Sequence, residues 1–141
     1  LQFQNKIWAQ SSHSKRTNED KLENLNHLER LSWLAWVNNL SKYKYAVHLM
    51  PTVAAGTFSL NCAYWGIPCI GNEKVDTQRL CFPDLSVDVD DVESAMKCVE
   101  KLKNSSFYSE VSDKSRELYK KYYSMDSWIK NFKEKILEKL K

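Results

Sequence analysis

The sequence predicts an α/β fold: a Rossmann-like three-layer domain with a small parallel sheet and C-terminal helices. Short apolar runs of strand length alternate with segments of helical periodicity, which is the order of a parallel sheet with helical crossovers. The chain has 141 residues but only three glycines and three prolines, too few for the many tight turns of an all-β fold. The last third of the sequence has the apolar spacing of consecutive helices.

Length and composition suit a single domain, which we assign to residues 1–141. The chain is 43% hydrophobic and 28% charged, so we expect a packed core. The net charge is +3, and the lysines of the C-terminal third are interleaved with acidic residues, which indicates a solvated helix surface. We therefore expect no nucleic-acid partner. The absence of a signal peptide and of an apolar run of about 18 residues predicts a cytoplasmic protein without a transmembrane segment.

The cysteines indicate neither a metal site nor a disulfide framework. No two of them form a C-x-x-C pair, and no His pair lies nearby at zinc spacing. We expect buried, reduced thiols, no bound metal and no cofactor. The four cysteines are Cys62, Cys69, Cys81 and Cys98.

In the first half of the chain, the pattern predicts strands at residues 6–10, 45–50 and 67–71. The polar stretch 11–20 predicts a loop. From residue 21 to 40, apolar side chains recur every three or four positions, which predicts a helix with one buried face. A shorter helix over residues 57–65, closed by Gly66, is predicted between the second and third strands.

In the second half, residues 85–89 predict a short edge strand, and three helices are expected after it. Asp90 as N-cap, with Glu93 three positions later, resembles a capping box for the first of them. A second helix is predicted over 107–123, and Ser124 is expected to cap the third. The third helix carries an apolar stripe, which we expect to face the core. The stripe comprises Met125, Trp128, Ile129, Phe132, Ile136, Leu137 and Leu140.

The segment from residue 50 to 80 has the features of a ligand site. A buried strand ends, a loop of small residues follows, and a helix begins at Thr57. Ligands of open α/β sheets bind beyond the carboxyl ends of the strands, and a helix N-terminus there offers backbone N–H groups to a phosphate. Gly56 lets the backbone approach an anion, and the hydroxyls of Thr57 and Ser59 add donors. Residues 76–78 follow the next strand and are expected at the same edge of the sheet.

This segment resembles the nucleotide-sugar loop of the GT-B glycosyltransferase superfamily. The resemblance rests on AGTFSLNCAYWGIP, residues 55–68, in which small residues precede a helix that ends in Gly-x-Pro before a strand. Residues 76–78, DTQ, are similar to the D-x-Q of the cell-wall type, and YSMDSW, residues 123–128, is similar to the helix start that closes many GT-B C-terminal domains. The resemblance covers residues 30–140 and implies the C-terminal, donor-binding half of such an enzyme.

The resemblance also implies which residues bind a nucleotide-diphosphate sugar. The helix N-terminus, residues 56–59, would bind the diphosphate, and Asn61 would bind the ribose. Residues 76–78 would bind the sugar or the diphosphate. Asn61 stands where the family has a ribose-binding Glu, and Val53 stands where retaining families have an earlier Glu. The implied substrate-binding residues are Gly56, Thr57, Phe58, Ser59, Asn61, Asp76, Thr77 and Gln78. No catalytic residue is identified.

Three functions remain open at this stage. The first is sugar transfer to an acceptor; the acceptor half would lie outside this chain, which we then expect to be inactive by itself. The second is a UDP-sugar 2-epimerase, and the third is a degenerate, non-catalytic GT-B module that binds a partner. His48, near the carboxyl end of its strand, is either a hydrogen-bonded core residue or a sugar contact. Lys74 and Arg79 are the cations nearest the loop in sequence and are interpreted as surface charges, with contact to a phosphate as the alternative.

Overall fold

The computed structural model describes residues 8–10, 19–21, 25–27, 29, 31–53 and 56–140. The chain divides into two compact units, Leu1–Asn39 and Leu40–Lys141. The predicted loop over 11–20 and the start of the first predicted strand lie largely outside the described residues. The assignment of residues 1–141 to one domain stays a prediction.

The N-terminal unit contains a two-stranded parallel pair. Strand β1, Trp8–Gln10, pairs with β2, Leu25–His27, with Trp8 opposite Leu25. A short 3-10 helix, Glu19–Lys21, lies between them in sequence. The Nε2 atom of His27 lies 2.8 Å from a carboxylate oxygen of Glu19, which joins this helix to β2.

The prediction of one helix from residue 21 to 40 is wrong in its first half. Residues 25–27 form β2, and the helix, α1, covers only Trp33–Leu40. The predicted buried face is also wrong here, since Leu31 and Leu34 are exposed. Helical spacing of leucines is a local property, whereas β2 is stabilised by hydrogen bonds to β1, about 17 positions away in the chain. That pairing overrides the local pattern.

The second unit contains a three-stranded parallel sheet. Strands β3, Ala46–His48, β4, Cys69–Asn72, and β5, Ser86–Val87, lie in that order, each paired in parallel with its neighbour. Helix α2, Thr57–Trp65, connects β3 to β4. Helix α3, Asp76–Cys81, and a 3-10 turn, Pro83–Leu85, connect β4 to β5. The predicted α/β class with a parallel sheet is confirmed, and β5 is the edge strand predicted near residues 85–89.

The core is built around β4. All four of its residues are buried, as predicted for this strand. The same prediction for residues 45–50 is wrong, because β3 is an edge strand on which Val47 is exposed. All four cysteines are buried and none forms a disulfide, which confirms the prediction of buried thiols. Burial raises the pKa of the Cys81 thiol to about 11, so this thiol stays protonated at neutral pH. The largest fully buried apolar side chains are Phe82, Ile70 and Leu85.

Helix α2 ends in a left-handed turn at Gly66, as predicted. Gly66 has φ 67° and ψ 36°; its N–H donates to the carbonyl of Ala63, and the N–H of Ile67 donates to that of Cys62. This pair of bonds is the Schellman motif, which only a residue tolerant of positive φ closes without strain. The chain is thereby reversed into β4 three residues later.

Three helices follow the sheet: α4, Val92–Lys101, α5, Ser105–Tyr123, and α6, Met125–Lys139. Helix α5 packs against α2 and α3. Two of its buried residues on this side are serines, and the hydroxyl of Ser112 donates to the carbonyl of Gly66 at 2.6 Å. Arg116 donates to the carbonyl of Trp65 at 2.9 Å. Side chains of α5 therefore satisfy two carbonyls at the end of α2.

The helix caps agree with the sequence in part. Ser124 caps α6 as predicted, through a bond from the Ser127 N–H. The N-cap of α4 is Asp91, not Asp90: the carboxylate of Asp91 accepts from the N–H of Ser94 at 2.9 Å. Glu93 forms an ion pair with Lys97 rather than closing a capping box. The cap shifts by one residue because the chain turns through residues 89–90 before the helix starts.

The prediction that the α6 stripe faces the core is wrong. None of its seven residues is buried, and Trp128 and Leu140 are 57% and 79% exposed. Helix α6 packs on the end of α5, so the stripe has no sheet beneath it. Periodicity shows that a helix is amphipathic but not what covers its apolar face. In the part of the chain that the structure describes, no helix is long and apolar enough to cross a membrane.

Substitution of Gly66 by Ala should destabilise the protein. A Cβ atom at this left-handed residue costs about 1–2 kcal/mol and would also contact the guanidinium group of Arg116. Urea unfolding followed by circular dichroism measures the change. The control Ser109→Ala, at an exposed position of α5, should alter the free energy of unfolding by less than about 0.5 kcal/mol. Equal stability of Gly66→Ala and the wild type would contradict the left-handed turn.

Asp91→Ala should lower the urea midpoint at neutral pH, whereas Asp90→Ala should leave it unchanged. Hydrogen bonds from Ser94 hold the pKa of Asp91 below its ordinary value. Because the folded pKa is the lower one, the cap stabilises the protein above the unfolded pKa of about 3.9, and this is lost as the pH falls through the folded value. The urea midpoints of wild type and Asp91→Ala should therefore converge in acid. Equal effects of the two substitutions would contradict the assignment.

Candidate functional site

The helices that carry the predicted site residues begin at the carboxyl edge of the three-stranded sheet. Helix α2 begins after β3, α3 begins after β4, and these two helices contact each other. The sequence predicted that residues 76–78 would follow the strand at this edge. The structure adds that they form the first turn of α3, a helix the sequence pattern did not predict. Ala54 and Ala55, part of the predicted small-residue loop, lie outside the described residues.

Three of the predicted residues form one hydrogen-bonded cluster. The carbonyl of Gly56 accepts from the hydroxyl of Ser59 and from that of Thr77, each at 3.0 Å. The two hydroxyl oxygens are themselves 2.9 Å apart. Only two hydroxyl hydrogens are available for these three contacts, so two of them are hydrogen bonds at any one time, and each hydroxyl hydrogen has a partner within the cluster. It ties the start of α2 to the start of α3 across 18 residues of sequence.

Gly56 is required here by close packing. It is the N-cap of α2 and is buried, and a Cβ atom at this position would collide with Thr77 and lie 2.6 Å from Val75. Glycine has no side chain to cap the helix, so no side-chain oxygen covers the first turn of α2 from this position. The first turn of α2 follows β3 and therefore lies at the carboxyl edge of the sheet.

His48 is brought against the first turn of α2. Its ring stacks on Phe58 with centroids 4.9 Å apart and an interplanar angle of 29°. Burial lowers the pKa of His48 because desolvation penalises the charged imidazolium. At neutral pH the ring is therefore uncharged. No hydrogen bond to this ring is formed by the described residues, which does not match the hydrogen-bonded core histidine considered from the sequence.

Asn72 is a site residue that the sequence argument missed. It is 1% exposed and ends β4; its side-chain N–H donates to the carbonyl of Met50, and its side-chain oxygen accepts from the N–H of Lys74, both at 2.9 Å. The loops after β3 and β4 are joined by these two bonds. The signal was present, because a polar residue directly follows the buried run Cys-Ile-Gly.

The remaining predicted residues have three different environments. Asp76 is exposed and forms an ion pair with Arg79 at 2.8 Å. Gln78 is 2% exposed; its side-chain N–H donates to the carbonyl of Cys69 at 2.8 Å, while its side-chain oxygen is buried without a partner among the described residues. The side-chain nitrogen of Asn61 is likewise buried and lacks a partner among them. Asn61 and Gln78 thus direct polar atoms inward, and Thr57 is exposed.

The cations near the loop are paired with carboxylates. Lys74 contacts Asp88 at 3.0 Å and Arg79 contacts Asp76, both pairs being largely exposed. The hydrogen bond to Asp88 raises the pKa of Lys74, so its charge is retained at neutral pH. Over the described ranges, no group of three or more His, Cys, Asp or Glu side chains is arranged to hold a metal ion.

Comparisons with known proteins identify no relative. No family model, no curated protein and no solved structure matches the chain.

As the pH falls, the free energy of unfolding should decrease more steeply for the wild type than for His48→Phe, a variant that keeps an aromatic ring stacked on Phe58. Because burial lowers the folded pKa of His48, the unfolded chain takes up its proton first as the pH falls below about 6.5. Urea midpoints compared at about pH 7.5 and about pH 5.5 measure the difference. Parallel curves, or an NMR titration of the His48 ring above its ordinary pKa, would contradict this.

Proposed function

We propose that this chain is the donor-binding part of a glycosyltransferase and that it holds the diphosphate of a nucleotide sugar at the N-terminus of α2. One observation carries the proposal: the first turn of α2, opened by a glycine, lies at the carboxyl edge of a parallel sheet, directly beside the first turn of α3. Open α/β sheets bind ligands at this edge. The similarity of residues 55–68 to the GT-B loop supports the same assignment.

The proposed chemistry depends on backbone groups. Sugar transfer leaves negative charge on the departing nucleotide diphosphate, and N–H groups at a helix N-terminus stabilise an anion there. The hydroxyls of Ser59 and Thr77 are engaged with the carbonyl of Gly56, so their contribution is to fix the two helix starts. The N–H groups of Thr57 and Ser59, in the first turn of α2, are then the proposed phosphate donors. A preformed cluster costs no reorganisation when charge develops.

The other predicted residues have secondary roles in this proposal. The side chain of Asp76, exposed at the start of α3, is assigned to the sugar or the diphosphate. Asn61 is assigned to the ribose, and its buried amide nitrogen would need a rotamer change to reach it. Gln78 supports the site from within, through its bond to the carbonyl of Cys69.

Nucleotide binding tests the proposal on the chain itself. UDP, GDP or ADP at about 1 mM should shift the backbone amide NMR signals of residues 56–61, and the corresponding nucleosides should shift them less. Thr57→Pro removes one N–H at the first helical position, where proline is tolerated. Losing one hydrogen bond to a charged group should weaken binding about tenfold or more.

Two variants control for side effects of that change. Ser105→Pro makes the same substitution at the first position of α5 and should leave nucleotide binding unchanged. Thr57→Ala removes only the hydroxyl and should keep most of the affinity. If none of the three diphosphates moves the signals of residues 56–61, or if both proline variants weaken binding equally, the proposal fails.

A non-catalytic interaction module is the second candidate. The observation in its favour is that the polar side chains of this edge do not face a ligand. The hydroxyls of Ser59 and Thr77 contact the carbonyl of Gly56, and amide atoms of Asn61 and Gln78 are buried in the core. Under this alternative the chain binds none of the three nucleotides. The same titration therefore separates the two candidates.

A further inference from the structure

The α6 stripe leaves an apolar face of the second unit exposed to solvent. Trp128 and Phe132 stack on each other with centroids 5.0 Å apart, yet they are 57% and 50% exposed. Ile136 and Leu140 continue the same row at intervals of four residues, so they lie on the same side of the helix. An apolar surface this continuous indicates a binding site.

The charges of α6 are distributed unevenly around this row. At about 100° per residue, Lys133 and Lys135 border the row on opposite sides, and Lys139 lies within the apolar sector. Glu134 and Glu138 lie on the far side of the helix, and Asp126, in the first turn, is the one acidic residue of α6 beside the stripe. The face that presents the apolar side chains is therefore positively charged at its margins.

Aromatic residues extend the stripe at its N-terminal end. An open crevice of about 410 Å³ lies between the end of α5 and the start of α6. It is lined by Tyr119, Tyr123, Met125 and Trp128. Tyr and Trp have an apolar ring and a polar edge, which suits the boundary between hydrocarbon and water.

We propose that α6 is an interfacial helix whose apolar stripe inserts into the surface of a membrane that contains anionic lipid. An aromatic and aliphatic face bordered by lysines, with Glu134 and Glu138 on the opposite side, is typical of helices that lie in the headgroup region. The lysine side chains would extend to the lipid phosphates while their methylene stems cover the apolar margin. With 15 residues and several charges, α6 lies on the bilayer and does not cross it.

The same charges argue against a second copy of the chain as the occupant. Pairing of two α6 stripes would bring Lys133, Lys135 and Lys139 of one copy close to those of the other, and like charges destabilise such a contact. An anionic lipid surface is complementary to these lysines. The charge distribution thus selects the membrane over self-association.

Co-sedimentation of the full chain with lipid vesicles tests the proposal. The chain should bind vesicles in which about a third of the phosphatidylcholine is replaced by phosphatidylglycerol, and binding to pure phosphatidylcholine should be at least about tenfold weaker. Added salt should weaken the binding. Trp128→Gln combined with Phe132→Gln should abolish it, whereas Leu34→Gln combined with Val92→Gln, at apolar positions that are more exposed than these two, should not.

A charge-matched pair of variants tests the lysines. Replacing Lys133, Lys135 and Lys139 by Gln should weaken vesicle binding about tenfold or more, while the same change at the exposed Lys42, Lys97 and Lys101 should have a much smaller effect. Absence of binding, equal binding to neutral vesicles, or equal effects of the two triple variants would overturn the proposal. So would a dimer in sedimentation velocity that the Trp128 and Phe132 substitutions dissociate, because a second copy would then cover the stripe.

Discussion

The crossover from β3 to β4 is the part of the second unit on which most of the other contacts depend. Helix α2 has nine residues and must return the chain to a strand that is buried along its whole length. The left-handed Gly66 makes this reversal in one residue, and Ser112 and Arg116 of α5 satisfy carbonyls at the same turn. A change at Gly66 would therefore disturb β4 and the docking of α5 together.

The opposite end of the crossover is held in a different way. At Gly56 the constraint is close approach, with the hydroxyls of Ser59 and Thr77 converging on one carbonyl. This cluster joins the starts of α2 and α3, as Asn72 joins the loops after β3 and β4. Hydrogen bonds therefore connect the loops and helix starts at this edge of the sheet, an arrangement that favours binding by preorganised groups under the first proposal.

The two proposals concern opposite kinds of surface on the same unit. The proposed site at the start of α2 is small and polar and would depend on backbone N–H groups at a helix end. The α6 stripe is extended and apolar, with lysines at its margins. Each rests on its own residues, so a negative result for nucleotides leaves the membrane proposal standing, and the reverse also holds.

Much of the second unit was predictable because its signals are local. The apolar run around β4, the helix from Thr57 to Gly66 and the Ser124 cap each follow from the residues within one or two turns. The position of Thr57 and Asp76 at one edge of the sheet was also predictable, because parallel strands have their carboxyl ends at the same edge. The N-cap of α4 was predicted one residue too early, at Asp90 instead of Asp91, because the geometry of the turn before a helix can shift the cap by one position.

What the sequence by itself determined is the α/β class, the order of the strands and of helices α2, α4, α5 and α6 in the second unit, and the glycine positions at both ends of α2. Only the tertiary structure decided that residues 25–27 are a strand, that His48 stacks on Phe58, and that the α6 stripe is uncovered. Each of these depends on what a segment meets from elsewhere in the chain. Apolar periodicity predicts that a segment has one face to bury. Contacts with residues distant in sequence determine whether that face is buried and which element covers it.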